Sequence, residues 1–80
     1  MKLVLVKWED SVQPVVTWHH FDDLPALEIA KCESVGLVVA ENDQVLMLAA
    51  NVADNEQCTG IMRIPKCCIT SITEIGILQK

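Results

Sequence analysis

Residues 33–41 (ESVGLVVAE) and 45–50 (VLMLAA), joined by Asn42-Asp43-Gln44, decide the fold class. Two short apolar runs around a turn-forming triplet predict a β-hairpin, because Asn and Asp tolerate the left-handed backbone that tight hairpins need. Strand alternation puts Val35, Leu37 and Val39 on one side and Gly36, Val38 and Ala40 on the other. Both sides are apolar, so both are predicted to be covered. A small barrel covers one of them and another subunit the second.

Working outward, residues 2–8 (KLVLVKW) read as an aliphatic strand that ends in the polar stretch Glu9 to Pro14. Residues 15–18 (VVTW) are β-prone but short. His19 to Pro25 is polar and irregular, with Asp22 or Asp23 placed to cap a helical turn over Leu24 to Ile29 and Pro25 at its start. On the other side of the hairpin, residues 51–57 read as a polar loop and 58–64 (CTGIMRI) as a strand that Pro65 ends. Pro65 to Cys68 fits one 3₁₀ turn, and 69–75 (ITSITEI) is a β-branched closing strand. No internal repeat, linker or low-complexity tract interrupts residues 1–80, which read as a single domain. The fold class that follows is all-β: a small SH3-like or Sm-like five-stranded barrel with one short helical turn.

Composition narrows the function. Eighty residues at 51% hydrophobic and 21% charged exclude a disordered tail. Six Lys+Arg against eleven Asp+Glu give a net charge of −5, which argues against a protein held to nucleic acid by its overall field. A chain this short buries only about 60% of its unfolded surface. With half its residues apolar, it should keep apolar surface outside a monomer core, and a homo-oligomer is the simplest use for it. No segment approaches the ~20 apolar residues of a membrane span. The apolar run Leu3–Val6 is too short for a secretory signal, so a cytoplasmic location is expected. Cys32, Cys58, Cys67 and Cys68 show no CxxC spacing and are expected as free thiols.

The chemistry-bearing motifs are few. P-loop, GxGxxG, GxSxG and HExxH patterns do not occur, and three glycines are too few for a phosphate cradle. His19-His20-Phe21-Asp22-Asp23 contains metal-ligand residue types, but neighbouring side chains on a strand diverge, so a solvated loop is the preferred reading and no metal or cofactor is assigned. Cys67 and Cys68 should point apart, one buried and one half-exposed, with Lys66 the one neighbour able to lower a thiol pKa. The acidic pairs Glu9-Asp10 and Asp22-Asp23 fall in predicted turns, as ordinary solvated loops or as an acidic surface that imitates nucleic acid. Trp8 and Trp18 suit barrel-end packing, or alternatively base stacking. Arg63 and Lys66 sit at a strand-to-turn junction, where they either solubilise an edge or hold a phosphate. Arg63, Lys66, Trp8 and Trp18 are therefore the candidate ligand-binding residues.

Two resemblances extend this reading. Gly60 to Ile75 resembles the last two strands of bacterial Sm-like RNA chaperones, which implies a fold and not a function. Cys32-Glu-Ser-Val-Gly36, Leu48-Ala-Ala-Asn51 and Gly60-Ile-Met-Arg-Ile-Pro65-Lys66, followed by Ile69 and Ile72, resemble a group of small phage-encoded proteins with SVG, LA and GxMxIP[RK] strands, mostly without assigned activity. That resemblance implies a phage accessory protein in a bacterial cytoplasm. Joined to the expected oligomer, it gives a non-enzymatic counter-defence role, in which subunit-interface pockets sequester a small nucleotide-like immune signal such as a cyclic nucleotide. The alternatives are a protein-binding inhibitor of a host defence complex, of anti-CRISPR type, and a minor RNA-binding or structural role.

Overall fold

The computed structural model describes residues 1–11 and 16–79. The described residues build seven strands: β1 (Lys2–Ser11), β2 (Ile29–Glu41), β3 (Val45–Ala49), β4 (Asn51–Val52), β5 (Cys58–Thr59), β6 (Met62–Pro65) and β7 (Ile69–Ile77). Five of them form one antiparallel sheet in the order β6-β3-β2-β1-β7, and β4 pairs with β5 in a separate two-stranded ribbon. Single 3₁₀ turns occupy Phe21–Asp23 and Lys66–Cys68. The all-β class and the central hairpin are as expected from sequence.

Asn42 makes the β2–β3 turn. Its side-chain oxygen accepts the backbone N–H groups of Gln44 and Val45, both at 2.8 Å, while its own N–H donates to the Val45 carbonyl at 3.0 Å. These bonds replace those a longer ladder would supply, which is why Asn suits this position. A bulge between Val38 and Ala40 interrupts the simple alternation along β2, so Val39 does not continue the face of Leu37.

The sheet is curled around a small core. Val4 and Val6 of β1 meet Leu46 and Leu48 of β3 and Ile64 of β6. β2 lies between β1 and β3, and its residues opposite Val6 and Val4 are Ser34 and Gly36. Small side chains there let the outer strands of the curl approach. A Cβ at Gly36 would sit 2.9 Å from the Leu48 Cβ and 3.2 Å from the Ala49 carbonyl oxygen. Trp8 closes one side of the core, with its indole N–H donated to Ser34 Oγ at 2.9 Å. Each fully buried Val, Leu or Ile contributes about 1.5–3 kcal/mol.

The outcome departs from the sequence reading in six places. β4 (Asn51–Val52) lies inside the stretch 51–57 expected as a loop. β1 continues through Glu9, Asp10 and Ser11, where a polar break was expected, because Ile29 to Lys31 of β2 pair with them. The ladder does not close: β6 and β7 are the two sheet edges, and they do not pair with each other. The helix over Leu24 to Ile29 does not form. Leu24 is extended at φ −67° and ψ 147°, as a residue before proline prefers, and Ile29 already belongs to β2. Residues 16–18 form no strand, and Val15 lies outside the described residues. The strand expected over 58–64 is broken between β5 and β6 by Gly60, which adopts φ +70° where an added Cβ would meet the Ala50 Cβ at 2.6 Å.

The molecule is long for its size. Its principal extents are 56 × 24 × 20 Å and its radius of gyration is 16.6 Å, against about 12 Å for a compact chain of this length. The β1–β2 hairpin carries the segment of residues 16–28 at one end as an arm. Trp18 and Leu27 are fully exposed on it and Phe21 is 92% exposed.

Candidate ligand-binding site

The register assigns each candidate residue a face. Val4 and Val6 point into the curl, so Trp8, two residues further along β1, does too. Arg63 pairs with Met47, between the inward pairs Leu46–Ile64 and Leu48–Met62, and therefore stands on the outer face. Trp8 and Arg63 thus occupy opposite faces of the sheet. Trp18 lies on the arm. Lys66 opens the second 3₁₀ turn, three residues after Arg63, with its Nζ 3.8 Å from a Glu41 carboxylate oxygen and its backbone N–H donated to the Gln44 carbonyl at 2.7 Å. A single chain brings Arg63 and Lys66 to one end of β6. It does not gather them with either tryptophan on one face.

Trp8 is half-buried and hydrogen-bonded, which makes it part of the core rather than a free stacking surface. A groove of about 510 Å³ beside it is lined by Lys7, Lys31, Glu9, Glu33, Cys32 and Thr70. Lys7 is 3.7 Å from Glu33, and two lysines balance two glutamates, so this groove offers no net field to an anion. Arg63 differs. It is exposed, and among the described residues no carboxylate stands within ion-pair distance of it.

The outer face carries a second groove, of about 420 Å³, that the sequence reading did not single out. Leu3, Val35, Leu37, Ala49, Ile77 and Leu78 line it. Its volume lies in the range of small-molecule sites. The signal for it was present in the apolar outer residues of 33–41, but its third wall comes from Ile77 and Leu78, which only the β1–β7 pairing brings alongside.

His19 Nε2 lies 3.1 Å from Thr17 Oγ1 in the arm. Among the described residues, no three His, Cys, Asp or Glu side chains gather as a metal site. All four cysteines are free. Cys67 and Cys68 do not point apart as expected: their sulfurs are 3.9 Å from each other, and Cys67 is exposed while Cys68 is half-buried. The 3₁₀ turn, tighter than a strand, allows this approach. The Cys67 contact, partial burial and the charges of Asp10 and Glu9 all raise the Cys68 pKa above its usual value of 9.0. A thiol so placed stays protonated at neutral pH and is a poor nucleophile. Among the described residues, no helix is long and apolar enough to cross a membrane.

No protein-family model matches this chain, and neither does any curated protein or solved structure.

Proposed function

We propose that this chain is a non-enzymatic phage accessory protein of the bacterial cytoplasm that counters host defence by oligomeric sequestration of a small nucleotide-like anion. The observation that carries the reading is Arg63. It is exposed on the outer face, has no acidic partner among the described residues, and shares that face with the apolar groove of Leu3, Leu37 and Ala49. In a chain of net charge −5, phosphate affinity has to come from few cations, and an unpaired guanidinium is suited to it by its bidentate fork. The curled sheet, with a 3₁₀ turn before its last strand, is read as an incompletely closed SH3-like or Sm-like barrel, a scaffold that presents such contacts at subunit boundaries.

Calorimetry with a panel of cyclic nucleotides tests this. A charge-assisted bond to phosphate contributes about 1.5–3 kcal/mol, so Arg63→Ala should weaken binding by about tenfold to a hundredfold. Unchanged affinity removes Arg63 from the site. A second reading, inhibition of a host defence protein, is favoured by the exposed arm, where Trp18 and Phe21 adjoin Asp22 and Asp23. Native mass spectrometry of protein from expressing cells separates the two: a retained nucleotide supports sequestration, and a retained host protein with no nucleotide bound supports inhibition.

A further inference from the structure

Resting on the oligomeric part of that reading, we propose that the outer groove is the seat for the arm of a second copy, in a two-fold dimer built by antiparallel pairing of β7 with its counterpart. The two sheet edges are unequal. β6 has four residues, carries Arg63 and ends in Pro65, all features that block edge pairing. β7 has nine residues, ITSITEIGI, without proline and with Glu74 as its one charge. Its register shifts lie at Thr70 and Ile75, leaving Ser71 to Glu74 regular between them, and among the described residues its outer edge is unpaired. Ile72, Ile75 and Ile77 are half or more exposed along it. Such an edge is a template for another strand. Pairing of β7 with β7 is self-complementary and closes after two copies.

That symmetry brings the right ends together. Within one chain Trp8 stands opposite Ile69, and Lys2 opposite Ile77. The arm leaves the sheet beyond the first of these pairs, at Ser11 and Ile29, and the groove lies at the second, around Leu3 and Ile77. Eight residues of strand, about 26 Å, separate the two sites in one copy. Antiparallel β7–β7 pairing lays each copy's Ile69 end beside the other's Ile77 end, so each arm faces the other copy's groove.

The arm has the chemistry for that seat. Trp18, Phe21, Leu24 and Leu27 recur every third residue. His20 and Leu24, which flank the 3₁₀ turn Phe21–Asp23, have polyproline-like backbone angles of −70°/148° and −67°/147°. Both conformations have three residues per turn, which favours presenting these side chains as a row. A buried aromatic side chain removes roughly 150–250 Å² from water. Two arms with two aromatics each, together with the facing strands, reach the ~1,200 Å² of a specific dimer. The seat also places the second copy's Trp18 on the outer face that bears Arg63, joining an aromatic and a cation that no single copy unites.

Sedimentation of the full chain over a micromolar concentration series reads the assembly. The expected species has twice the 8.9 kDa chain mass. The triple variant Trp18→Ser, Phe21→Ser, Leu27→Ser alters exposed residues alone and should dissociate the dimer by more than tenfold in Kd, as should Val35→Glu in the groove. An equimolar mixture of the two variants retains one intact arm and one intact groove, and should associate more tightly than either variant by itself. Hydrogen exchange on the unaltered dimer should show β7 amides protected in proportion to association. A stable dimer indifferent to both variants, or with β7 amides unprotected, overturns the proposed seat and leaves sequestration to the calorimetry. A ring or polymer built through β6 also overturns it. A monomer throughout the series overturns the dimer and the oligomeric reading together, whereas an arm-dependent dimer that binds no nucleotide sustains the dimer and rejects the sequestered ligand.

Discussion

The inner face of the curled sheet and the arm are made of the same kinds of side chain in opposite circumstances. Leu46, Ile64 and Val6 are almost wholly removed from water, whereas Leu27, Phe21 and Trp18 are almost wholly in it. The difference is one of pairing. Each core residue sits on a strand whose ladder partner fixes its direction, and Ser34 and Gly36 leave the space it fills. The arm has no ladder among its described residues, so nothing in its own chain turns its apolar row inward. Apolar content by itself does not make a core; register does.

This contrast can be broken most strongly from the core side. Ile64→Ala should lower the unfolding free energy by about 2–5 kcal/mol in denaturant titrations, because it removes buried volume that β6 and β3 cannot refill. Leu27→Ala, an equally large truncation in the arm, should stay within about 0.5 kcal/mol when measured on dilute monomer. Equal losses would mean that the arm packs on its own sheet. Gly36→Ala should cost about 1–3 kcal/mol, since its new methyl group would lie 2.9 Å from Leu48 Cβ and the curl would have to open.

The smallest effect concerns the turn between the two edges. Cys68 holds its proton more tightly in the folded chain than in the unfolded one, because of Cys67, partial burial and nearby acidic charges. The folded state therefore binds more protons as pH rises past the ordinary thiol range, and stability falls there with increasing pH. In alkylation time courses Cys68 should react more slowly at neutral pH than a free thiol in a short peptide, and Cys67→Ser should narrow the gap. Equal rates would show that the contact between the two sulfurs has no chemical consequence.

The sequence carried the local features in readable form. The turn at Asn42, the apolar runs of 33–50, the 3₁₀ turn before the last strand and the β-branched closing strand each follow from side chains close together in the chain. What it did not display depends on distant partners. The bulge at Val39, the split of 58–64 at Gly60 and the open edges all arise from which strand lies alongside. The same limit applies to the candidate site. Arg63, Lys66, Trp8 and Trp18 were legible as residue types, but the opposition of Trp8 and Arg63 across the sheet is a matter of register parity. The groove on the outer face was half legible, because Val35 and Leu37 alternate visibly while Ile77 and Leu78 come from the other end of the chain. The arm's three-residue spacing matches neither the strand period nor the α-helical period, so a search for those two periods passes over it.

The pairing of β1 with β7 has a kinetic consequence. It joins Lys2 to Ile77, and Met1 and Leu78 exchange backbone hydrogen bonds of 2.8 and 3.1 Å beside it. Residues 9–68 are the loop that this ladder closes, so its entropic toll falls before any of its contacts form. A topology dominated by such distant pairings folds in milliseconds to seconds rather than microseconds. The hairpin at Asn42, which closes over three residues, forms its contacts without that delay. During synthesis, one flank of β1 stays bare until Ile69–Ile77 has left the ribosome, and over that interval Leu3, Leu5 and Lys7 have no neighbour on that side.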